Sequence, residues 1–499
     1  MAGTGLGLIS TADIARLAGQ SRATVGNWKA RNPDFPPERG RSSRGPLYDR
    51  AEVTEWLEST GRLSREQAEI AAVRRVSDLL RGHIAAEDSL SLILVLLAVM
   101  SSSGGGWRRV RDAPPQALDA AIRSTARSLF PSADELIPRA TLPAGPTEEV
   151  ISALSGLGQP RVALMADALL EQAASAMGKR GGEYLSPPFV RRLVTALAGP
   201  AGSYHNPASG IGQLLIEAAA ANRGGAAELT GQEINSRIWA MSQLNLSIHD
   251  VSAEIALGDV FTHDRYPQLR AERVVAIPPW NQKLPELDRL AGDPRWVWGE
   301  PGPNDGNAAW IQHCLYHLAD GGRAVLVLPN TALFEGGRSG RIRRRMVKAG
   351  LLDAVIALPS GLFAWTPVSC AVLIFTKGGA GVNRGATSVL MVDVRDSPGG
   401  RTAGSAPGES VIREITGIYD RWAAGKAPVS EIAAAADYGM LAANDFVIDP
   451  GRYVAAPRPA PDLGETLRKR DALLHHLNAL IQASRQADER LREILEKGP

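Results

Sequence analysis

Between residues 64 and 178 apolar positions recur every three or four residues. The stretches Arg65–His83, Leu90–Met100, Gln116–Phe130 and Thr147–Met177, the last with a break near Pro160, are therefore predicted to be amphipathic helices. From about residue 180 the pattern changes to short apolar runs separated by helical stretches. The runs are Ser203–Asn206, Glu228–Glu233, Glu254–Gly258, Arg273–Ile277, Arg323–Pro329, Leu352–Leu358 and Cys370–Thr376. Strands and helices alternating in this way predict a doubly wound α/β sheet. Upstream, Ser10 or Thr11 caps a helix through Leu17, Gly19 supplies a turn, and Ser21 caps a helix Arg22–Arg31 with Val25 and Trp28 on one face. A loop with Pro33, Pro36 and Pro37 follows, then Pro46-Leu47-Tyr48 and a third helix from Asp49 to Leu57. Residues 380–460 carry little pattern. Gly464 to Lys497 reads as one long helix with Leu467, Leu474, Leu477, Ile481, Leu491 and Leu495 on a stripe broken by Arg470, Ser484 and Asp488. These shifts divide the chain at 1–62, 63–178, 179–380, 381–462 and 463–499.

Composition changes this picture little. A chain of 499 residues is too long for one core, and 44% hydrophobic residues is ordinary for a globular protein. A net charge of +2 excludes a polycation that coats nucleic acid, so any DNA affinity must be local. Cys314 and Cys370 each stand alone in an apolar run, which predicts buried thiols and fits a reducing compartment. No charged-then-apolar leader opens the chain, and Leu92–Met100 is about half the length of a membrane span. A cytoplasmic protein that does not enter a membrane is expected.

Local charge is found at the start of the chain. Residues 1–50 hold eight Arg or Lys against four Asp or Glu. Helix, glycine turn, helix, basic loop and a Tyr-Asp-Arg helix together resemble the winged helix-turn-helix of MerR- and excisionase-like proteins. That resemblance implies double-stranded DNA as a partner, with Ser21, Arg22, Thr24, Asn27 and Lys29 on the groove-facing side of the second helix. A small helical docking domain is the other reading.

Chemistry concentrates in the α/β region. Asn206-Pro207-Ala208-Ser209-Gly210-Ile211-Gly212 joins a strand to a helix, and Gly210 and Gly212 let backbone N–H groups approach a ligand. Glu233 ends the next strand, where a carboxylate accepts from ribose hydroxyls; Asp259 follows the third, where one accepts from an adenine amine. The fourth strand ends in Ile277-Pro278-Pro279-Trp280. In sequence this resembles the Asn/Asp-Pro-Pro-aromatic motif of N6-adenine DNA methyltransferases, above all the modification subunit of type I restriction–modification systems. Further landmarks carry the resemblance: Gly182-Glu183-Tyr184-Leu185-Ser186-Pro187, Trp310-Ile311-Gln312-His313, Gly321 to Asn330, Ile342-Arg343, Asp353 to Pro359, and Leu362-Phe363.

The resemblance implies a class I methyltransferase fold with seven strands, and S-adenosylmethionine held by Tyr184, Ser186, Asn206, Gly210, Gly212, Glu233 and Asp259. It also implies a flipped adenine stacked on Trp280, its amine held by the Pro278 carbonyl and the motif's first side chain. A specificity subunit or a second copy, docked through the C-terminal helix, is the implied protein partner. The departure is Ile277, which has no acceptor where the family has Asn or Asp. Three readings follow: slow adenine methylation with a substitute acceptor such as Asn281, a catalytically silent DNA-binding regulator or scaffold, or a different methyl acceptor. His205, His249, His263, His313 and His317 show no metal-ligand spacing, so no metal is expected. The basic run Arg338, Arg341, Arg343, Arg344, Arg345 and Lys348 fits either phosphate contact or an exposed helix face.

Overall fold

Ser21 caps the helix Arg22–Arg31 by accepting from the Thr24 N–H at 3.1 Å, as its sequence position implies. The helices Thr11–Leu17 and Arg50–Ser59 flank it, and Ile14, Val25, Val53 and Leu57 close a small core of their own. The segment between the second and third helices forms strands β2 (Glu38–Ser42) and β3 (Gly45–Asp49) rather than the expected loop, and with β1 (Leu8–Ser10), ahead of the first helix, they make an antiparallel sheet in the order β1-β3-β2. The sequence Glu-Arg-Gly-Arg-Ser of β2 has no apolar alternation to betray a strand. Tertiary packing supplies the signal instead: Tyr48 on β3 is buried edge-on against Phe35, which packs on Trp56 at 4.9 Å.

The structure is a computed structural model. It describes residues 8–454 apart from 19, 43–44, 64, 156, 158–160, 178–183, 223–224, 226, 285–290, 379–387 and 396–407, and after these 470, 471, 473–475, 477 and 482. The chain clusters into Met1–Tyr453 and Val454–Pro499. Most of the expected C-terminal helix, the Gly19 turn and the pair Gly182-Glu183 lie outside the described residues. No helix among those described is long and apolar enough to cross a membrane.

The helical region contains Arg65–Leu80, Ala86–Ser101, Leu118–Leu129, Ala144–Ser155 and Val162–Met177, close to expectation. Ala86–Ser101 is buried continuously from Ser89 to Val99, and a helix apolar on all sides must sit inside a bundle. Its neighbours include the helix Ser236–Ile248 of the α/β region, whose Met241 and Leu244 share this core. Arg237 fastens that contact, donating to Asp88 Oδ1 at 2.7 Å, Ser91 Oγ at 2.8 Å and the Glu135 carbonyl at 3.1 Å.

All seven expected strands form: β4 (Ser203–Asn206), β5 (Glu228–Glu233), β6 (Glu254–Leu257), β7 (Ala271–Ala276), β8 (Leu318–Pro329), β9 (Leu352–Ala357) and β10 (Cys370–Lys377). Two more, β11 (Ser388–Asp393) and β12 (Ala433–Asp437), come from the stretch with little pattern. The sheet therefore has nine strands, ordered β12-β11-β9-β10-β8-β7-β4-β5-β6, and continues past residue 380. β10 runs antiparallel to β8 and β9, and β12 antiparallel to β11. The poly-alanine β12 is legible only through its pairing with β11. Asp353 on β9 accepts from Tyr419 Oη at 2.7 Å and Trp422 Nε1 at 2.9 Å, docking the helix Glu409–Ala423 on the sheet.

Register decides where chemistry can occur. Asn206 pairs with Gly231, and Glu233 with Leu257, so β4, β5 and β6 end together along one edge. β7 and β8 run parallel to them, and the Ile277–Trp280 segment leaves at that same edge. Ligand crevices of open α/β sheets lie at such carboxyl ends.

Candidate functional site

A cleft of about 300 Å³ lies along that edge. Of the residues singled out by sequence, Tyr184, Ser186, Asn206, Gly210, Glu233, Asp259, Ile277, Pro278, Pro279 and Trp280 all line it. Gly212 does not. It caps the helix Gln213–Ala221 at φ 79°, a left-handed backbone that favours glycine, with Leu246 and Ile255 at ordinary contact distance. Arg22, Thr24, Asn27 and Lys29 sit on the N-terminal helix and do not line the cleft. Arg22, Asn27 and Lys29 are exposed there, while Thr24 is engaged with Ser21 at 2.9 Å.

Gly210, at φ 53°, is where glycine is required. A Cβ there would meet the Tyr184 carbonyl oxygen at 3.0 Å, because the 184–187 strap crosses directly over the turn. Gln213 and Arg191 hold the strap: Gln213 Oε1 accepts from the Ser186 N–H at 3.1 Å, and Arg191 Nη1 donates to the Ser186 carbonyl at 2.8 Å. The Gly210 N–H donates to Glu233 Oε2 at 2.9 Å, and the Asn235 N–H to Oε1 at 2.9 Å. These bonds orient the Glu233 carboxylate and leave lone pairs for a ligand. Burial holds its carboxyl above the ordinary carboxylate range, against the opposing effect of those donors. Asp259 is steadied by the Phe261 N–H at 2.9 Å and Thr262 Oγ1 at 3.0 Å. Asn206, 1% exposed, turns its Oδ1 to the Ala208 N–H at 3.2 Å and shapes the turn.

The other end of the cleft is apolar. Trp280 donates Nε1–H to the Val327 carbonyl at 3.1 Å and packs against Phe363 and Trp365, each at a centroid distance of 4.9 Å. Half-buried Ile277 packs with the sheet core and offers no acceptor. Asn281 is not the substitute acceptor the sequence suggested. At φ 54°, its Oδ1 already accepts from Asn307 Nδ2 at 2.8 Å and Thr331 Oγ1 at 3.2 Å. Gln282 Oε1 accepts from Trp310 Nε1 at 3.0 Å and retains one lone pair.

Gln213, Gln232, Ile234, Gln282, Trp310 and Trp365 also line the cleft and were not anticipated. Gln282 stands two residues after Trp280 and had a positional signal; Trp310 and Trp365 arrive through the fold alone.

Three of the scattered histidines are brought together: His205, His313 and His317 are buried with ring nitrogens within 4.8 Å of one another. Their bonding does not suit a cation. Arg295 Nη1 donates to His313 Nδ1 at 3.0 Å, which places the His313 proton on Nε2 and a guanidinium beside the cluster. His317 lies between Asp264 Oδ2 at 3.0 Å and the Leu269 carbonyl at 3.2 Å. Burial pushes His205 down to about 3 and His313 well below its usual value, so both rings stay neutral. Both cysteines are buried and free, and burial pushes the Cys370 thiol up to about 12.

The basic helix is Gly337–Lys348. Arg343 on it is a buried staple to the Phe446 and Glu335 carbonyls at 3.0 and 2.9 Å, not a phosphate contact, because its side chain points into the fold.

The sequence profile of the N-6 DNA Methylase family matches residues 163–460. The HindI methylase subunit of the type I restriction enzyme of Haemophilus influenzae is 27% identical over 322 residues, 61% of this chain and 71% of that protein. The MjaIX methylase subunit of Methanocaldococcus jannaschii is 27% identical over 295 residues, 56% of this chain and 52% of that protein. Among solved structures, the type I restriction-modification methyltransferase subunit of Streptococcus thermophilus has the same fold, with a TM-score of 0.66 and 20% identity over 79% of this chain and 100% of that one.

Proposed function

This chain belongs to the N-6 DNA methylase family, and from that premise we propose that it moves the methyl group of S-adenosylmethionine to adenine N6 in double-stranded DNA, within a restriction–modification system and at a rate held down by Ile277. One observation carries the reading: a nucleoside cradle and the Pro278-Pro279-Trp280 segment open into a single cleft. The cradle suits the cofactor chemically. Glycine at 210 leaves space under the Tyr184 strap, Glu233 presents oriented lone pairs for ribose hydroxyls, and Asp259 stands at the next strand end for an adenine amine. Tyr184, Ser186, Asn206 and Gly210 would hold the remainder. S-Adenosylmethionine, when bound, supplies an electrophilic methyl group on a sulfonium.

The chain's own residues handle the amine. The Pro278 carbonyl accepts one of its hydrogens, which returns electron density to a nitrogen whose lone pair is otherwise delocalised into the ring. Trp280, fixed by its bond to Val327, gives the base an aromatic wall, and Trp365 and Phe363 keep that wall from turning. The test is transfer itself. With methyl-labelled S-adenosylmethionine and unmethylated genomic DNA, label is expected in N6-methyladenine after digestion; label confined to methylcytosine would refute the adenine assignment.

Glu233 makes cofactor affinity depend on pH. Ribose hydroxyls donate to the ionised carboxylate, so affinity is complete above its pKa and falls as pH drops through it. Burial has raised that pKa, so the loss begins at milder acidity than for a surface glutamate. Calorimetric titration with S-adenosylhomocysteine from about pH 8 to about pH 5 should show the decline, and Glu233→Gln should flatten it. An identical decline in the variant would remove Glu233 from the cofactor site.

The N-terminal module is assigned a separate DNA contact, as a winged helix-turn-helix. The support is its exposed Arg22, Asn27 and Lys29 on a helix without acidic residues, beside the β2–β3 hairpin. Arg22→Ala with Lys29→Ala is expected to weaken duplex binding and reduce its salt slope by about two; an unchanged slope in fluorescence anisotropy would assign the module to protein docking.

A further inference from the structure

The two halves of the cleft are carried by different loops, and two buried side chains, Arg295 and Trp310, tie each of them to the helix Gly306–Tyr316. Residues 259–262 follow β6 and bring Asp259 and Val260 to the cofactor end; residues 277–284 follow β7 and bring Ile277 to Gln282 to the acceptor end. Arg295, on the acceptor-side connection before the helix Gly306–Tyr316, is 5% exposed. A guanidinium has five N–H donors in a rigid fork, and all five are used here. Nη1 donates to the Val260 carbonyl at 2.6 Å and His313 Nδ1 at 3.0 Å. Nη2 donates to the Phe261 carbonyl at 2.7 Å and Asp293 Oδ2 at 2.6 Å, and Nε to Asp293 Oδ1 at 2.8 Å. Asp293 neutralises the charge. The two carbonyls belong to the residues directly after Asp259.

A second strut runs alongside. Trp310 donates to Gln282 on the acceptor loop and packs edge-on at 4.9 Å against Phe261 on the cofactor loop. Val260, Phe261, Leu284, Trp296, Ala309 and Trp310 form a small apolar cluster of their own, distinct from the cores of the helical region and the sheet. Shifting the 259–262 loop strips Arg295 of two carbonyl acceptors, and shifting residue 282 strips the Trp310 Nε1–H of its own, so both loops are held to the same helix.

We propose that Arg295 is a positioning residue that couples the two loops through the helix Gly306–Tyr316, so that filling the cofactor end orders the acceptor end, and binding of DNA in turn tightens cofactor binding. Its own bonds hold the Val260 and Phe261 carbonyls to His313, and Trp310 on that helix holds Gln282. The inference rests on the cofactor reading given above. Reciprocity follows from linkage, since a group that ties two sites to one arrangement changes both affinities by the same factor.

Hydrogen exchange and calorimetry with S-adenosylhomocysteine test it. In the unaltered protein, ligand is expected to slow exchange at 206–212 and 258–264 and also at 278–284 and 291–300. Arg295→Lys keeps the charge but has three donors in place of a planar fork. It should bind the ligand about tenfold more weakly and lose protection at 278–284 while keeping it at 206–212. Tyr419→Phe, which removes the bond to Asp353 far from the cleft, should lower Tm and leave affinity and protection alone. Retained affinity and protection in Arg295→Lys overturns the coupling. So does protection confined to 206–264 in the unaltered protein, or the same losses in Tyr419→Phe. No binding by the unaltered protein overturns the cofactor reading and the coupling with it.

Discussion

Replacing Ile277 by asparagine is expected to raise the rate of methyl transfer by about 10²–10³, the usual worth of one hydrogen bond to charge that develops in a transition state. The amine gains positive charge as it attacks, and each acceptor on its hydrogens offsets part of that charge. At this end of the cleft Ile277 contributes no acceptor. Asn281 cannot replace it, because Asn307 and Thr331 already occupy both lone pairs of its carbonyl oxygen, while Gln282 Oε1 is drawn toward Trp310. At position 277 itself the amine faces an apolar wall, and an unsatisfied buried amine hydrogen costs a further 1–3 kcal/mol or so. Cofactor affinity should not change, since Glu233, Asp259 and the Gly210 turn lie at the other end. Single-turnover transfer, with S-adenosylhomocysteine binding as the control, measures both. A clear gain from a measurable starting rate supports a slowed enzyme. Transfer present only in the variant would make the native chain a silent binder, and equal rates would show that the acceptor position is met by another route.

Gly306→Ala is expected to lower transfer by about 10²-fold or more. Gly306 opens the helix Gly306–Tyr316, and the backbone of the acceptor loop lies directly on it. A Cβ there would meet the Gln282 carbonyl oxygen at 2.2 Å, with the Gln282 carbonyl carbon and nitrogen at 3.0 and 3.1 Å. That contact can be relieved only by moving the loop about 1 Å, and a displacement of that size at a reacting centre is worth roughly two orders of magnitude. Pro278 and Trp280 stand two to four residues upstream on the same loop. Helix propensity alone would favour alanine, so a lower rate identifies the close approach as the cause. A variant with native rate and raised Tm would remove Gly306 from the architecture of the site.

Much of the molecule is legible in local pattern. The change from a three-to-four residue period to short apolar runs near residue 180 locates the α/β region, and all seven expected strands form within a few residues of their expected ends. Strand-end chemistry is legible for a related reason. A glycine turn, an acid after the second strand and an acid after the third need only correct strand assignments, since parallel strands in register bring their ends to one edge. β11 and β12 escaped notice because an edge pair such as Ser388–Asp393 with Ala433–Asp437 draws its stability from pairing and from the covering helix Glu409–Ala423, not from amphipathic alternation. β2 escaped for the same reason.

The sequence by itself determined the kinds of element, the residues at the strand ends that line the cleft and the apolar side chain at Ile277, because each depends on neighbours a few positions away. Tertiary structure alone decided that Asn281 is already spent, that Gly306 carries the acceptor loop and that Trp310 bridges Gln282 and Phe261. It also gathered His205, His313 and His317 and set a guanidinium beside them. Each of those outcomes requires groups tens of residues apart to meet within a few ångströms. Hydrogen-bond capacity, once used by such a partner, is no longer available to a ligand, and no local pattern records which partner arrived.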